Sequence, residues 1–264
     1  MSGVNLSAAA PQFTKFLQLR QFLINCVPFN SSVLIVPLPS AIPPPLGIIM
    51  LDTQFLRPLG DAGNPDSWPF PIIIERVEGA FAQSVVSGTY EGIESFIEAG
   101  RRLVKRGACA VITTCGFLVR HQRALEVALV VPVRTSTLSS YNALQQELGP
   151  TRRVAILTID KVALGASVRT AAGIPDDALI FDLSGESHFR RAILDAEIPL
   201  DAATAQGEWV RLAKSIQKTH LNIGRWLFEC ANMPPYARSV AEATGLAVYD
   251  ALAMGTTLYR SAHP

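Results

Sequence analysis

The sequence predicts a parallel α/β fold made of two related lobes. Three observations carry this. From residue 46 onward, short apolar runs alternate with segments of helical period. Turn residues separate them. The second half then repeats the order of the first. Residues 46–51 (LGIIML) read as a buried strand and the isoleucines at 72–74 as a second, with a loop of turn residues between them at 58–65 (PLGDAGNP). Residues 90–105 read as a helix, because Ile93, Phe96, Ile97, Leu103 and Val104 recur at helical spacing and Gly107 stops it. Strand 108–114 (ACAVITT), helix 119–127, strand 130–133 and helix 138–148 come next, the last closed by Gly149-Pro150. The second series runs strand 154–158 (VAILT), helix 162–172, strand 179–183, helix 203–218, strand 226–228, helix 235–243 and strand 246–249. A final helix at 251–259 is expected to cross back onto the first lobe. Repeated βα units imply parallel sheets with helices on their faces.

The repeat is visible in the residues. With Cys115 set on Cys230, VITTC falls on WLFEC, and the next strands, Val131-Pro132-Val133 and Leu246-Ala247-Val248, coincide. GIIML at 47–51 likewise matches VAILT at 154–158 in character. The lobes are therefore placed at 46–150, with a C-terminal return over 251–264, and at 151–250.

Composition excludes several function classes. With 49% apolar and 17% charged residues in 264, the chain is no disordered segment and can bury a large core. Its 23 basic and 22 acidic residues leave no cationic excess for a phosphate backbone, so no nucleic-acid partner is expected. No apolar run is long enough for a membrane span, and a cytoplasmic location is expected. Four scattered cysteines without a Cys-x-x-Cys pair support neither a disulfide scaffold nor a zinc ribbon. His121, His188, His220 and His263 lack metal-ligand spacing, and there is no Gly-x-Gly-x-x-Gly, P-loop or Gly-x-Ser-x-Gly. No metal and no other cofactor is expected. Residues 1–45 read as an N-terminal extension: they hold no Asp or Glu, and prolines crowd positions 37–45. A targeting segment and an appendage with no fold of its own are both open for it.

The chemistry rests on two cysteines. Cys115 and Cys230 end equivalent strands, at the carboxyl edge where open parallel sheets bind ligands. Each precedes a predicted helix, whose N-terminus is expected to draw the thiol pKa toward neutral. If a pseudo-twofold axis relates the lobes, the thiols face each other across the cleft. One thiolate can then remove a proton from a substrate carbon while the other thiol returns one. The competing reading is plain packing, since free cysteines are often small hydrophobes; Cys109, inside its strand, takes that reading. The loop 60–68 is a candidate lid over the cleft.

LGIIMLDT (46–53), VITTCGF (111–117), VAILT (154–158) and FECANMPPY (228–236) resemble the aspartate/glutamate/hydantoin racemase superfamily. The resemblance covers nearly everything from residue 46. It implies two Rossmann-like lobes with the site between them, cofactor-independent chemistry, and Cys115 and Cys230 as the acid–base pair. It implies Asp52 as a catalytic assistant with Thr53 beside it. It also implies Thr114, Gly116, Phe117, Thr158, Ala231 and Asn232 as groups that bind a small carboxylate or hydantoin substrate. Asp52 and Thr53 can equally serve as a cap or turn. The expected activity is racemisation or epimerisation of an amino acid or derivative, an isomerase reaction. A maleate-type isomerase and an arylmalonate-type decarboxylase are the alternatives inside the superfamily; a two-lobed carboxylate-binding protein is the alternative outside it. Gly116-Phe117 and Ala231-Asn232 depart from the glutamate racemase pattern, which points away from glutamate and toward a more apolar pocket formed with Trp68. A homodimer is expected by analogy.

Overall fold

The computed structural model describes residues 43–183 and 185–263. Nearly all of the N-terminal extension expected at 1–45, including Cys26, lies outside them. Two four-stranded parallel sheets form the molecule. The first holds β1 (Leu46–Leu51), β2 (Ile72–Val77), β3 (Ala110–Thr113) and β4 (Val133–Arg134) in the order β2-β1-β3-β4. The second holds β5 (Arg153–Thr158), β6 (Leu179–Asp182), β7 (Ile223–Phe228) and β8 (Val248–Tyr249) in the order β6-β5-β7-β8. Element for element the two orders are the same, and every pairing is parallel. The repeat read from the sequence is therefore a repeat of topology. In each sheet the chain reverses direction between its two central strands, β1 and β3 or β5 and β7, which opens a crevice at their carboxyl ends.

The helices are α1 (Ala82–Ser87), α2 (Ile93–Lys105), α3 (Gln122–Ala128), α4 (Tyr141–Leu148), α5 (Ala166–Ala172), α6 (His188–Ile193), α7 (Ala202–Thr219), α8 (Ala237–Thr244) and α9 (Ala251–Ala262). Several begin later than the sequence predicts. The expected helix at 119–127 is a 3-10 turn, Gly116–His121, that hands over to α3. The segment at 162–172 turns first, with Asp160 Oδ1 accepting the Ala163 N–H, and becomes helical only at Ala166. β4 is confined to two residues, because Pro132 has no N–H to give a ladder and Val130 is fully out in solvent. α1 and α6 are helices that periodicity did not reveal; at six residues each they are too short to show a period.

β1 is buried along its whole length, and its two faces serve different cores. Ile49 and Leu51 join the larger apolar cluster; Leu46 and Ile48 join a second with Trp68, Ile112, Met254 and Leu258. α9 thus packs on the first sheet. Gly255 makes this approach possible: a Cβ there would stand 2.5 Å from the Trp68 ring. The loop expected as a lid is instead pinned. Trp68 Nε1 donates to the Ala62 carbonyl, Ser67 Oγ accepts the Gly60 N–H, and Ala62 N–H reaches the Ala231 carbonyl at 3.1 Å. With Asp61, Ala62 and Gly63 buried, the first part of this loop belongs to the packed interior, while Pro65 and Asp66 face solvent.

Candidate active site

Cys115 lies two residues past β3 and Cys230 two residues past β7, both at the crevice. They line one small chamber of about 20 Å³ together with Leu51, Val86, Phe117, Ile159, Ile193 and Leu194. That volume holds roughly one water molecule. A second cavity, of about 780 Å³, lies outside it and shares Ala82, Ile193 and Leu194 with the chamber wall. Its size is that of an ordinary ligand pocket.

The thiols are held in different ways. Main-chain N–H groups of Phe117 and Leu118 lie near the Cys115 thiol and favour its anion, the Leu118 N–H being bonded to the Cys115 carbonyl at 3.1 Å. Cys230 Sγ donates to Asn232 Oδ1 at 3.4 Å. Asn232 Nδ2 donates to Asp61 Oδ2 at 2.7 Å, and Asp61 Oδ1 accepts from Arg57 at 2.8 Å. This buried relay fixes the amide orientation: its NH₂ faces the carboxylate, so its oxygen faces the thiol. The expectation that helix N-termini lower the thiol pKa values is corrected. Burial, then the charge of Glu229, pushes Cys115 up to about 12, and the same two causes push Cys230 well above the usual thiol range. Cys115 leads into a 3-10 turn and Cys230 into a short non-helical stretch before Pro234, which leaves few donors to oppose desolvation.

Sequence reasoning missed Glu229. It ends a strand whose Trp226, Leu227 and Phe228 are fully buried, and it is itself 2% exposed. Thr158 Oγ1 donates to its Oε2 at 2.9 Å, and the nearby main-chain N–H groups of Ile159 and Gly116 also favour its ionised form. Burial nonetheless pushes its pKa up to about 7. An acid at the end of an otherwise apolar buried strand is the signal that could have found it.

The remaining predicted residues divide into three groups. Thr114, Gly116, Phe117 and Asn232 line the chamber with the two cysteines, and Thr114 Oγ1 accepts the Leu51 N–H. Asp52 and Thr53 lie instead on the outer cavity: Asp52 accepts the Gly79 N–H at 2.9 Å, and Thr53 Oγ1 accepts from Arg57 at 2.7 Å. Thr158 and Ala231 are buried behind the chamber, the first on Glu229 and the second against the loop at Ala62. Trp68 packs against Phe70 and Gly255 and does not join Phe117. Among the described residues, no group of three or more His, Cys, Asp or Glu side chains is placed to hold a metal ion. Nor is any helix there long and apolar enough to cross a membrane.

Gly116 is required by packing. A Cβ on it would stand 2.2 Å from Glu229 Oε1 and 2.6 Å from the Glu229 carbonyl oxygen. Gly116→Ala is expected to cost about 1–3 kcal/mol, as overpacking does, read as a lower midpoint in chemical denaturation. A midpoint equal to wild type would show that Glu229 has room to move.

No protein-family model matches the chain. Solved structures match across most of it. A variant of arylmalonate decarboxylase has TM-score 0.55 at 22% identity, covering 83% of this chain and 93% of that one. Allantoin racemase from Pseudomonas fluorescens has TM-score 0.54 at 17% identity, covering 82% and 90%. An aspartate racemase homologue from Pyrococcus horikoshii OT3 has TM-score 0.52 at 14% identity, covering 84% and 100%. The chain shares its fold with these decarboxylase and racemase structures, as the resemblance implied.

Curated sequences give a different activity. Dimethylsulfoniopropionate lyase 3 of Emiliania huxleyi (strain CCMP1516) is 26% identical over 221 residues, spanning 79% of this chain and 57% of that protein. Dimethylsulfoniopropionate lyase of Durusdinium sp. clade D is 32% identical over 215 residues, spanning 78% of this chain and 71% of that protein. The expected racemase or epimerase activity, and with it the isomerase class, is thereby overturned. The physical reason is that proton removal beside a carboxylate is common to racemisation and elimination, so a cysteine pair on this fold does not distinguish them. By its identity to the Durusdinium protein over most of both chains, this chain belongs to the dimethylsulfoniopropionate lyase family.

Proposed function

We propose that the protein is a lyase that splits dimethylsulfoniopropionate, or a close β-sulfonium carboxylate, by proton removal and β-elimination. The observation that carries the reading is the thiol pair in one small chamber of a chain with this family membership. The Cys115 thiolate takes the proton from the carbon beside the carboxylate. The C–S bond to the sulfonium breaks, its electrons leave with dimethyl sulfide, and a C=C bond forms to give acrylate. The proton remains on Cys115 until it is released to water. Cys115 is the base because the Arg120 charge favours its anion, whereas Cys230 donates to an amide oxygen and faces the carboxylates of both Glu229 and Asp61, which favour the neutral thiol. The chamber also suits a cationic substrate. Glu229 and both thiols can carry negative charge, and a sulfonium beside them stabilises a thiolate that burial alone disfavours.

The chamber is far smaller than such a substrate, so admission from the outer cavity requires the shared wall of Ala82, Ile193 and Leu194 to yield. The test is to incubate purified protein with dimethylsulfoniopropionate, measuring dimethyl sulfide in the headspace and acrylate by NMR. Equal amounts of both products, absent with Cys115→Ala, are expected. No product from a folded protein, across a panel of β-sulfonium carboxylates, would overturn the reading.

A further inference from the structure

The carboxyl of Glu229 performs no step in the elimination, yet it is held by Thr158 and packed tightly against Gly116. Gly116 belongs to the first lobe's turn after β3; Thr158 and Ile159 belong to the end of β5 in the second. Glu229, at the end of β7, therefore connects the crevices of both sheets through one carboxyl group. The fit leaves no room for a Cβ on Gly116. Glu229 adjoins Cys230 in sequence, and Gly116 adjoins Cys115, so a single charge lies beside both thiols.

We propose that Glu229 is a positioning residue whose charge state sets the ionisation of the cysteine pair. Ionised, it adds to burial in holding both thiols neutral; neutral, or balanced by a cation, it makes Cys115 easier to ionise. The effect on both sulfurs is directly electrostatic, since its charge raises both thiol pKa values after burial itself. Other charged groups also face the site. Asp160, after β5, opposes Glu229 ionisation but is tied to Arg190 at 2.9 Å. Asp61 faces Cys230 and is tied to Arg57 at 2.8 Å. Arg120 faces Cys115 and favours its anion. Asp160 and Asp61 each have a cation of their own, so Glu229 is the acid in this set whose charge no arginine balances. The proposal does not depend on the identity of the substrate.

The experiment uses the whole chain without substrate. Wild type, Glu229→Gln and Thr158→Val are alkylated with iodoacetamide across pH 6–10, and each cysteine is monitored by mass spectrometry. In Glu229→Gln the Cys115 profile is expected to move to lower pH, with alkylation at pH 8 rising by at least about tenfold, one pKa unit or more. Thr158→Val removes a hydrogen bond that favours the ionised carboxyl, so its profile is expected to move the same way by less. Thermal stability supplies a second readout. The Glu229 pKa is raised on folding, from 4.5 to about 7, so wild type loses stability relative to Glu229→Gln as pH rises across that window, and the gap is constant above it. An unshifted Cys115 profile in folded Glu229→Gln would falsify the proposal. If that variant does not fold, the Thr158→Val profile decides: a shift supports the assignment and no shift overturns it. A lack of lyase activity in wild type would leave these outcomes unaffected.

Discussion

Cys115→Ser and Cys115→Ala are both expected to lower kcat by about 10²–10⁴-fold, the range for removing a general base. Serine has nearly the shape of cysteine, so the chamber walls stay in place; its hydroxyl, however, has far too high a pKa to act as the base. Cys230 should behave differently. Its thiol acts through a donated hydrogen bond to Asn232 Oδ1, which a serine hydroxyl can also make. Cys230→Ser is therefore expected to keep at least about tenfold more activity than Cys230→Ala, a difference of roughly 1.4 kcal/mol in the barrier. The two Cys115 variants should be equally impaired. Steady-state kinetics on the four proteins checks this, with deuterium uptake beside the carboxylate as a second readout. Equal impairment of both serine variants would show that Cys230 also acts as an anion, and would remove the distinction between base and neutral donor.

That distinction was not legible in the sequence, whereas the positions of both cysteines were. The central strands β1, β3, β5 and β7 announce themselves as apolar runs, and the repeat sets Cys115 on Cys230 because the same topology is used twice. What single-sequence reasoning cannot give is the local environment at each strand end. It assigned the thiols a helix N-terminus on general grounds; packing placed them beside a 3-10 turn and in a small buried chamber, and desolvation prevailed. Glu229 carries no signal in the sequence beyond its place after an apolar strand, and its burial follows from packing. Asp61 was passed over because PLGDAGNP reads as a surface turn, when Trp68 and Ala62 in fact draw that loop inward. Activity was misread for another reason. One fold serves several reactions, so the fold and a cysteine pair on it do not select among them.

Arg57→Met is expected to be more destabilising than any of the cysteine substitutions, at about 3–5 kcal/mol by chemical denaturation, because it leaves a buried carboxylate without its cation. Asp61 is fully buried, and its arginine partner is 10% exposed, so water replaces neither member of the pair. Removing both charges together is a different perturbation. In Arg57→Met/Asp61→Leu no charge is stranded, and most of the single variant's loss should be recovered. One function of the pair would still be missing. Asp61 Oδ2 is the acceptor that holds the Asn232 amide with its oxygen toward Cys230. Without that acceptor the amide can turn over and offer its NH₂ to the sulfur, an interaction that favours the thiolate. The double variant should therefore fold while showing faster alkylation of Cys230 at a given pH than wild type, with Cys115 little changed. Recovery of stability without a change at Cys230 would show that the amide is held by something other than Asp61. A single variant within about 1 kcal/mol of wild type, the size of an exposed ion pair, would show that water reaches the Arg57 and Asp61 side chains.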